Sequence, residues 1–272
     1  MKLAYFGDVV GKPGRVALET HLPRLRAELA LDFVVVNAEN AAGGFGITEG
    51  VAQALFSAGA DCLTLGNHAW DQREALTFIA REPRLLRPNN YPEGLDVPGR
   101  GAHVYALADG RTVGVILVMG RIFMDALDDP FRAVERDLAT APLKQVCDAL
   151  IVDVHAEATS EKMAMGHFCD GRASLVVGSH THVPTADAMI LPGGTAYQTD
   201  AGMCGDYDSV VGMRKDRSLQ KFTTRLPTER QEPASGEGTA CGVFVETSDR
   251  TGLATRISPI RLGGRLSEAV PG

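Results

Sequence analysis

Cysteine is scarce in this chain. Cys62, Cys147, Cys169, Cys204 and Cys241 are odd in number, scattered, and form no C-x-x-C. That argues against a disulfide framework or a thiolate zinc site and points to a reducing cytoplasm. Long apolar runs are also missing: none approaches the roughly 20 residues a membrane helix needs. Behind Met1-Lys2 the chain soon reaches Asp8, an acid where the apolar core of a secretory leader would continue. The expectation is a soluble, unexported, cytoplasmic protein without membrane contact. Nor is there an excess of positive charge, since 27 Lys+Arg against 34 Asp+Glu leave a formal net charge of −7. A broad grip on duplex nucleic acid is therefore not expected. A small phosphorylated substrate is still compatible, because a bound cation can reverse the local field. Gly7, Gly11 and Gly14 fail the G-x-G-x-x-G spacing, no Gly-Lys-Ser/Thr of a P-loop is present, and H-E-x-x-H does not occur.

What the chain does have is short apolar, β-branched runs: Leu3–Phe6, Phe33–Val36, Cys62–Leu65, Val113–Val118, Ala149–Val152 and Leu175–Val177. Continuous runs of this length suit strands buried on both faces. Helical patterns lie between them. Leu18, Leu22, Leu25 and Leu29 share one helix face, with Pro23 as a kink, and 51–58, 71–80 and 130–138 read as further helices. Alternating strand and helix indicates an α/β fold. Beyond about residue 186, the stretches 195–198, 242–246 and 255–262 read as strands without long helices between them. They suggest a second, more antiparallel sheet, whose exposed edge would permit pairing into a homo-oligomer. Residues 227–238 read as an exposed loop. With no repeat or linker, a single domain over 1–272 is expected.

The runs share a feature at their ends. Asp8 follows the first, Asn37, Glu39 and Asn40 the second, Asn67 and His68 the third. Asp153 and His155 follow the run at 149–152, and His180 and His182 the last. Ligands in open α/β sheets bind beyond the carboxyl ends of the strands. Singly, Asp8 and Asp153 could cap helices and the asparagines could hold turns. Convergence at five strand ends favours a metal site instead. Carboxylates, imidazoles and amide oxygens in this number suit two ions about 3.5–4 Å apart, with Glu39 as candidate bridge. His21, His103 and His167 read as ordinary polar residues.

At this point the sequence resembles the calcineurin-like metallophosphoesterases. GDVVGKPGR at 7–15, NAENAAGGFGIT at 37–48, LGNHAWD at 65–71, GSHTH at 178–182 and TDAGMCGDYDSVVGM at 199–213 resemble, more narrowly, the YmdB-like bacterial phosphodiesterases. The resemblance implies two packed mixed β-sheets flanked by helices, a four-layer α/β/β/α sandwich. It implies one metal held by Asp8, Glu39, Asn40 and His182, and a second held by Glu39, Asn67, His155 and His180. His68 would stand beside the substrate as proton donor. The ions would be iron, manganese or zinc, iron or manganese being favoured. Where the broader superfamily has D-x-H, Val10 takes the third place, and Asn40 would substitute for the missing imidazole.

The implied activity is hydrolysis of small phosphodiesters such as 2′,3′-cyclic nucleotides, by metal-activated hydroxide with His68 as general acid. Asp71 is a candidate to orient His68, with helix capping the more ordinary role. The glycines of 43–46 suit a tight turn, and Tyr197, Tyr207 and Phe45 are as suited to the core as to stacking on a base. Two other readings stay open. One is a metal-dependent hydrolase of another ester or amide class; the other is a nucleotide-sensing metal protein with little turnover, which Val10 would favour.

Overall fold

The computed structural model describes residues 1–272. Its elements run β1 (Lys2–Phe6), α1 (Gly11–Glu28), β2 (Phe33–Asn37), α2 (Glu49–Ala58), β3 (Cys62–Thr64), α3 (Ala75–Phe78) and β4 (Leu85–Leu86). There follow β5 (Ala102–Ala106), β6 (Thr112–Met119), α4 (Pro130–Thr140), β7 (Ala149–His155), α5 (Thr159–Cys169) and β8 (Leu175–Ser179). The chain ends with β9 (Met189–Ile190), β10 (Ala196–Gln198), α6 (Lys215–Thr224), β11 (Ala240–Thr247) and β12 (Ala254–Leu262).

Two six-stranded sheets form, in the orders β12-β11-β1-β2-β3-β4 and β5-β6-β7-β8-β10-β9. Both are mixed. Strands β1 to β4 pair in parallel, with β11 and then β12 added antiparallel beyond β1. In the second sheet β6, β7, β8 and β10 are parallel, with antiparallel β5 and β9 at the edges. Successive side chains on a strand point to opposite faces, and the core divides accordingly. Leu3 and Tyr5 face a layer between the sheets, shared with Val115, Leu117, Ile151 and Val177. Ala4 and Phe6 face the opposite side, where Leu18, Leu22 and Leu25 of α1 cover the first sheet. On the outer face of the second sheet, Ile116 and Val118 pack with Val134 of α4 and Met165 of α5. This is the four-layer sandwich.

Several local expectations need correction. The C-terminal strands do not make a sheet of their own: β11 and β12 extend the first sheet, whereas β9 and β10 join the second. The ten-residue helix α6 intervenes in a region expected to lack one. α3 is only four residues long, and side chains just before it tie that segment to neighbouring ones: Gln72 donates to Phe45 O and Glu74 accepts from Glu49 N–H. α5 was not apparent from the sequence, and β7 continues through Asp153 to His155. Asp153 therefore caps no helix. α1 holds Pro23 within its length, and 43–46 is a turn with three glycines at positive φ.

Leu117 is fully buried between the sheets. Leu117→Ala is expected to lower stability by about 2–5 kcal/mol, read as a shifted urea midpoint at constant slope; a loss below about 0.5 kcal/mol, as at a surface site, would contradict the layer assignment.

Candidate metal centre

The carboxyl ends of β1, β2, β3, β7 and β8 meet along one edge, as parallel strands direct them. Two triads of ligand atoms result, each with all atoms within 4.8 Å of one another: Asp8, Glu39 and His182, and Glu39, His155 and His180. Glu39 belongs to both. The amides complete the picture. Asn67 Oδ1 lies 3.0 Å from His155 Nε2. Asn40 donates from Nδ2 to Gly44 O at 2.9 Å, which turns its Oδ1 away, and that buried oxygen has no hydrogen-bond partner. A buried polar atom left unpaired is costly, and a cation would satisfy it. All seven residues expected as ligands are thus brought together.

His155 shows how crowded the donors are. Its Nε2 stands 3.2 Å from Glu39 Oε1 and 3.2 Å from His180 Nδ1. Behind it, Nδ1 donates to Ser179 Oγ at 2.9 Å, and Ser179 donates to Asp153 at 2.8 Å. That chain aims Nε2 at the cluster. Such an orienting partner is usual for a ligating histidine. His182 is held likewise, donating from Nδ1 to Val211 O at 2.8 Å, so that Nε2 faces Asp8. His180 points Nδ1 inward and has Glu157 Oε2 3.2 Å from Nε2. Gly66 leaves room for the group: a Cβ there would fall 2.2 Å from His155 Nε2 and 2.4 Å from Glu39 Oε2.

Charge is uneven across the cluster. Burial pushes the Asp8 carboxyl up, against the pull of His182 and His155. Burial would do the same to Glu39, but His155 and His68 overcome it and hold the carboxyl at about 2. The His155 ring resists burial for the same reason, its Glu39 contact keeping it at about 9. His180 goes the other way, to about 3, through burial first and then the neighbouring His155. Two buried carboxylates facing imidazoles are a donor set for divalent cations, so the residues present fit such ions.

His68 stands apart, with its backbone N–H donated to Glu39 Oε2 at 3.0 Å. Its Nδ1 donates to Asp71 Oδ2 at 2.7 Å, and the edge of Phe45 meets the ring with centroids 5.3 Å apart. Asp71 therefore orients His68 rather than capping a helix. His68, Glu157, Val211 and Met213 help to line a cavity of about 330 Å³ over the cluster, within the range of small-ligand sites. A larger cavity of about 620 Å³ lies beside α1, near Thr20, His21 and Ser235, and gathers no comparable set of ligand atoms. His103 and His167 also lie outside the cluster. Val10 is buried with Met203 and Met213, so apolar packing fills the place of the missing imidazole. Tyr197 is buried in the outer core, and Tyr207 donates its hydroxyl to Met203 O.

A family model described as YmdB-like protein matches residues 4–260. The chain belongs to the YmdB-like family. It is 45% identical over 260 residues to a 2′,3′-cyclic-nucleotide 2′-phosphodiesterase of Bacillus subtilis, covering 96% of each chain. It is 35% identical to a putative phosphatase/phosphodiesterase of Mycoplasma genitalium, covering 96% of this chain and 93% of that one. Among solved structures, a novel phosphatase from Mycoplasma pneumoniae superposes with a TM-score of 0.89 at 33% identity, over 96% of this chain and 93% of that one. A hypothetical protein from Thermus thermophilus does so at 0.88 and 43%, over 96% and 99%.

Glu157 and Ser179 are site neighbours that the strand-end pattern passed over, and Asp153 supports the site as a hydrogen-bond partner of Ser179. Glu157 carried a signal, since it lies two residues beyond His155. Glu39→Gln, which neutralises the carboxylate common to both triads, is expected to abolish tight Mn²⁺ binding in calorimetry. Asn40→Ala is expected to leave one of two binding steps intact. Equal stoichiometry in wild type and Glu39→Gln would rule out the shared position.

Proposed function

We propose that this chain is a dinuclear-metal phosphodiesterase acting on small diesters of the 2′,3′-cyclic nucleotide class. The observation that carries this is the pair of triads joined through Glu39, with the His68 ring beside them and outside both. The named activity of the Bacillus subtilis relative supports the substrate class. Membership of the family supports hydrolysis of phosphoesters in general.

Electrostatics supports cations in particular. The lining of the cavity includes Glu39 and Glu157 but no lysine or arginine. A phosphodiester carries a negative charge and would be repelled there unless bound cations reversed the field. Asp8, Glu39, Asn40 and His182 would hold one ion, and Glu39, Asn67, His155 and His180 the other. Ions in such positions supply positive charge for phosphate oxygens and an activated water near neutral pH; iron or manganese suits the mixed oxygen and imidazole set.

The chain's own groups do the rest. His68 presents Nε2 to the cavity, because Asp71 occupies Nδ1. When Nε2 carries a proton, it can pass that proton to the departing alkoxide, and the Asp71 contact at Nδ1 keeps the ring in that orientation. Phe45 limits rotation of the ring. General acid catalysis of this kind contributes about 10²–10⁴-fold.

His68→Ala is expected to lower kcat on 2′,3′-cyclic AMP by about 10²–10⁴-fold while elemental analysis still finds the same metal content. Loss of metal in that variant would make His68 a ligand instead. Purified wild type should also cleave a simple aryl phosphodiester and leave an acyl ester intact. Stoichiometric nucleotide binding without product would replace the enzyme reading by a sensor.

A further inference from the structure

One buried cation lies just behind the ligand turn and takes no part in the chemistry above. Lys162, in the first turn of α5, is 1% exposed, and its Nζ donates to Asp200 Oδ2 at 2.7 Å. The same Asp200 oxygen accepts Thr181 N–H at 3.1 Å and Thr181 Oγ1–H at 2.7 Å, while Oδ1 accepts Gly202 N–H at 2.8 Å. Thr181 stands between His180 and His182. Both histidines have positive φ, 92° and 66°, a region that non-glycine residues enter only where the surroundings over-determine it. The lysine stem packs against the end of β8 that leads into the turn: a Cβ on Gly178 would lie 2.7 Å from Lys162 Cδ.

We propose that Lys162 is a positioning residue, which through Asp200 and Thr181 holds the His180–His182 turn in its metal-ligating form. Folding alone does not call for this pair. A lysine in the first turn of a helix opposes the helix dipole, and a buried ion pair contributes little beyond apolar residues of the same shape. Its distinctive product is geometric. Three donors converge on one carboxylate oxygen, and two of them belong to the residue separating the histidines.

The inference rests on the dinuclear-metal reading, and its test separates the two. Mn²⁺ binding is measured by calorimetry, with kcat and KM for 2′,3′-cyclic AMP, in wild type, Lys162→Met, Asp200→Asn and the double variant. The single variants strand one charge and could lose the fold. The double variant removes both charges and retains the volume, which keeps the proposal falsifiable. In the folded double variant, Mn²⁺ affinity is expected to weaken about 10–100-fold, as when a ligand's orienting partner is removed. The kcat should fall at limiting Mn²⁺ and recover as Mn²⁺ is raised, with KM unchanged. A merely structural role predicts wild-type affinity in the double variant, and that result overturns the proposal alone. Absence of Mn²⁺ binding in wild type, or binding indifferent to His180→Ala and His182→Ala, overturns the metal reading and the proposal with it.

Discussion

Asp153 is a fully buried carboxyl between the two sheets, and the arrangement of the site depends on how it is accommodated. Tyr5 donates to it at 2.7 Å from β1 and Thr64 at 2.6 Å from β3, both in the first sheet, while Ser179 donates at 2.8 Å from β8 in the second. Without those donors the group would be strongly destabilising in this setting. Burial still pushes its carboxyl up to about 6. Because its partners come from both sheets, the carboxyl fixes how the sheets meet. Because Ser179 is also the acceptor for His155 Nδ1, the same contact fixes how one imidazole enters the site. Sheet packing and ring orientation are therefore a single constraint.

A second constraint is the sign of the charges and their placement. Carboxylates and imidazoles face the cavity, and the nearest buried ammonium, Lys162, is held behind the turn by Asp200. Placed in the cavity instead, a lysine could bind phosphate directly but would repel cations from the triads. The observed order keeps the ligand atoms available, while the fixed positive charge serves backbone geometry. Glu157 fits the same order, meeting the outer nitrogen of His180 and leaving the inner one free.

The donors were legible in the sequence because parallel strands deliver their carboxyl ends to one edge, so five of the six apolar runs pointed to the polar residues after them. Continuous apolar runs such as Val113–Val118 likewise marked strands covered on both faces. The supports were not legible. Lys162 and Asp200 lie 38 positions apart and Tyr5 and Asp153 148 apart, and no periodicity links either pair. α5 hid for a local reason: Glu161 and Lys162 are buried polar residues, and they blur the apolar stripe by which a helix is recognised. Of the C-terminal strands, β11 and β12 could be seen as antiparallel, whereas β10 runs parallel to β8, and the pairing of β11 beside β1 joins opposite ends of the chain.

Val10 shows how the two halves of the site come to differ. With that position committed to packing against Met203 and Met213, the triad at Asp8 and His182 has one imidazole, while the triad at His155 and His180 has two. Asn40 offers the first only a neutral amide oxygen. Imidazole nitrogen suits transition metals and oxygen donors suit harder ions, so cations bound here would meet unequal surroundings although they share Glu39. The inequality follows from one apolar side chain. Restoring an imidazole there would require space that Gly212, whose added Cβ would lie 2.7 Å from Val10 Cγ1, already yields to valine. The apolar wall and the oxygen-rich triad thus both follow from valine at position 10.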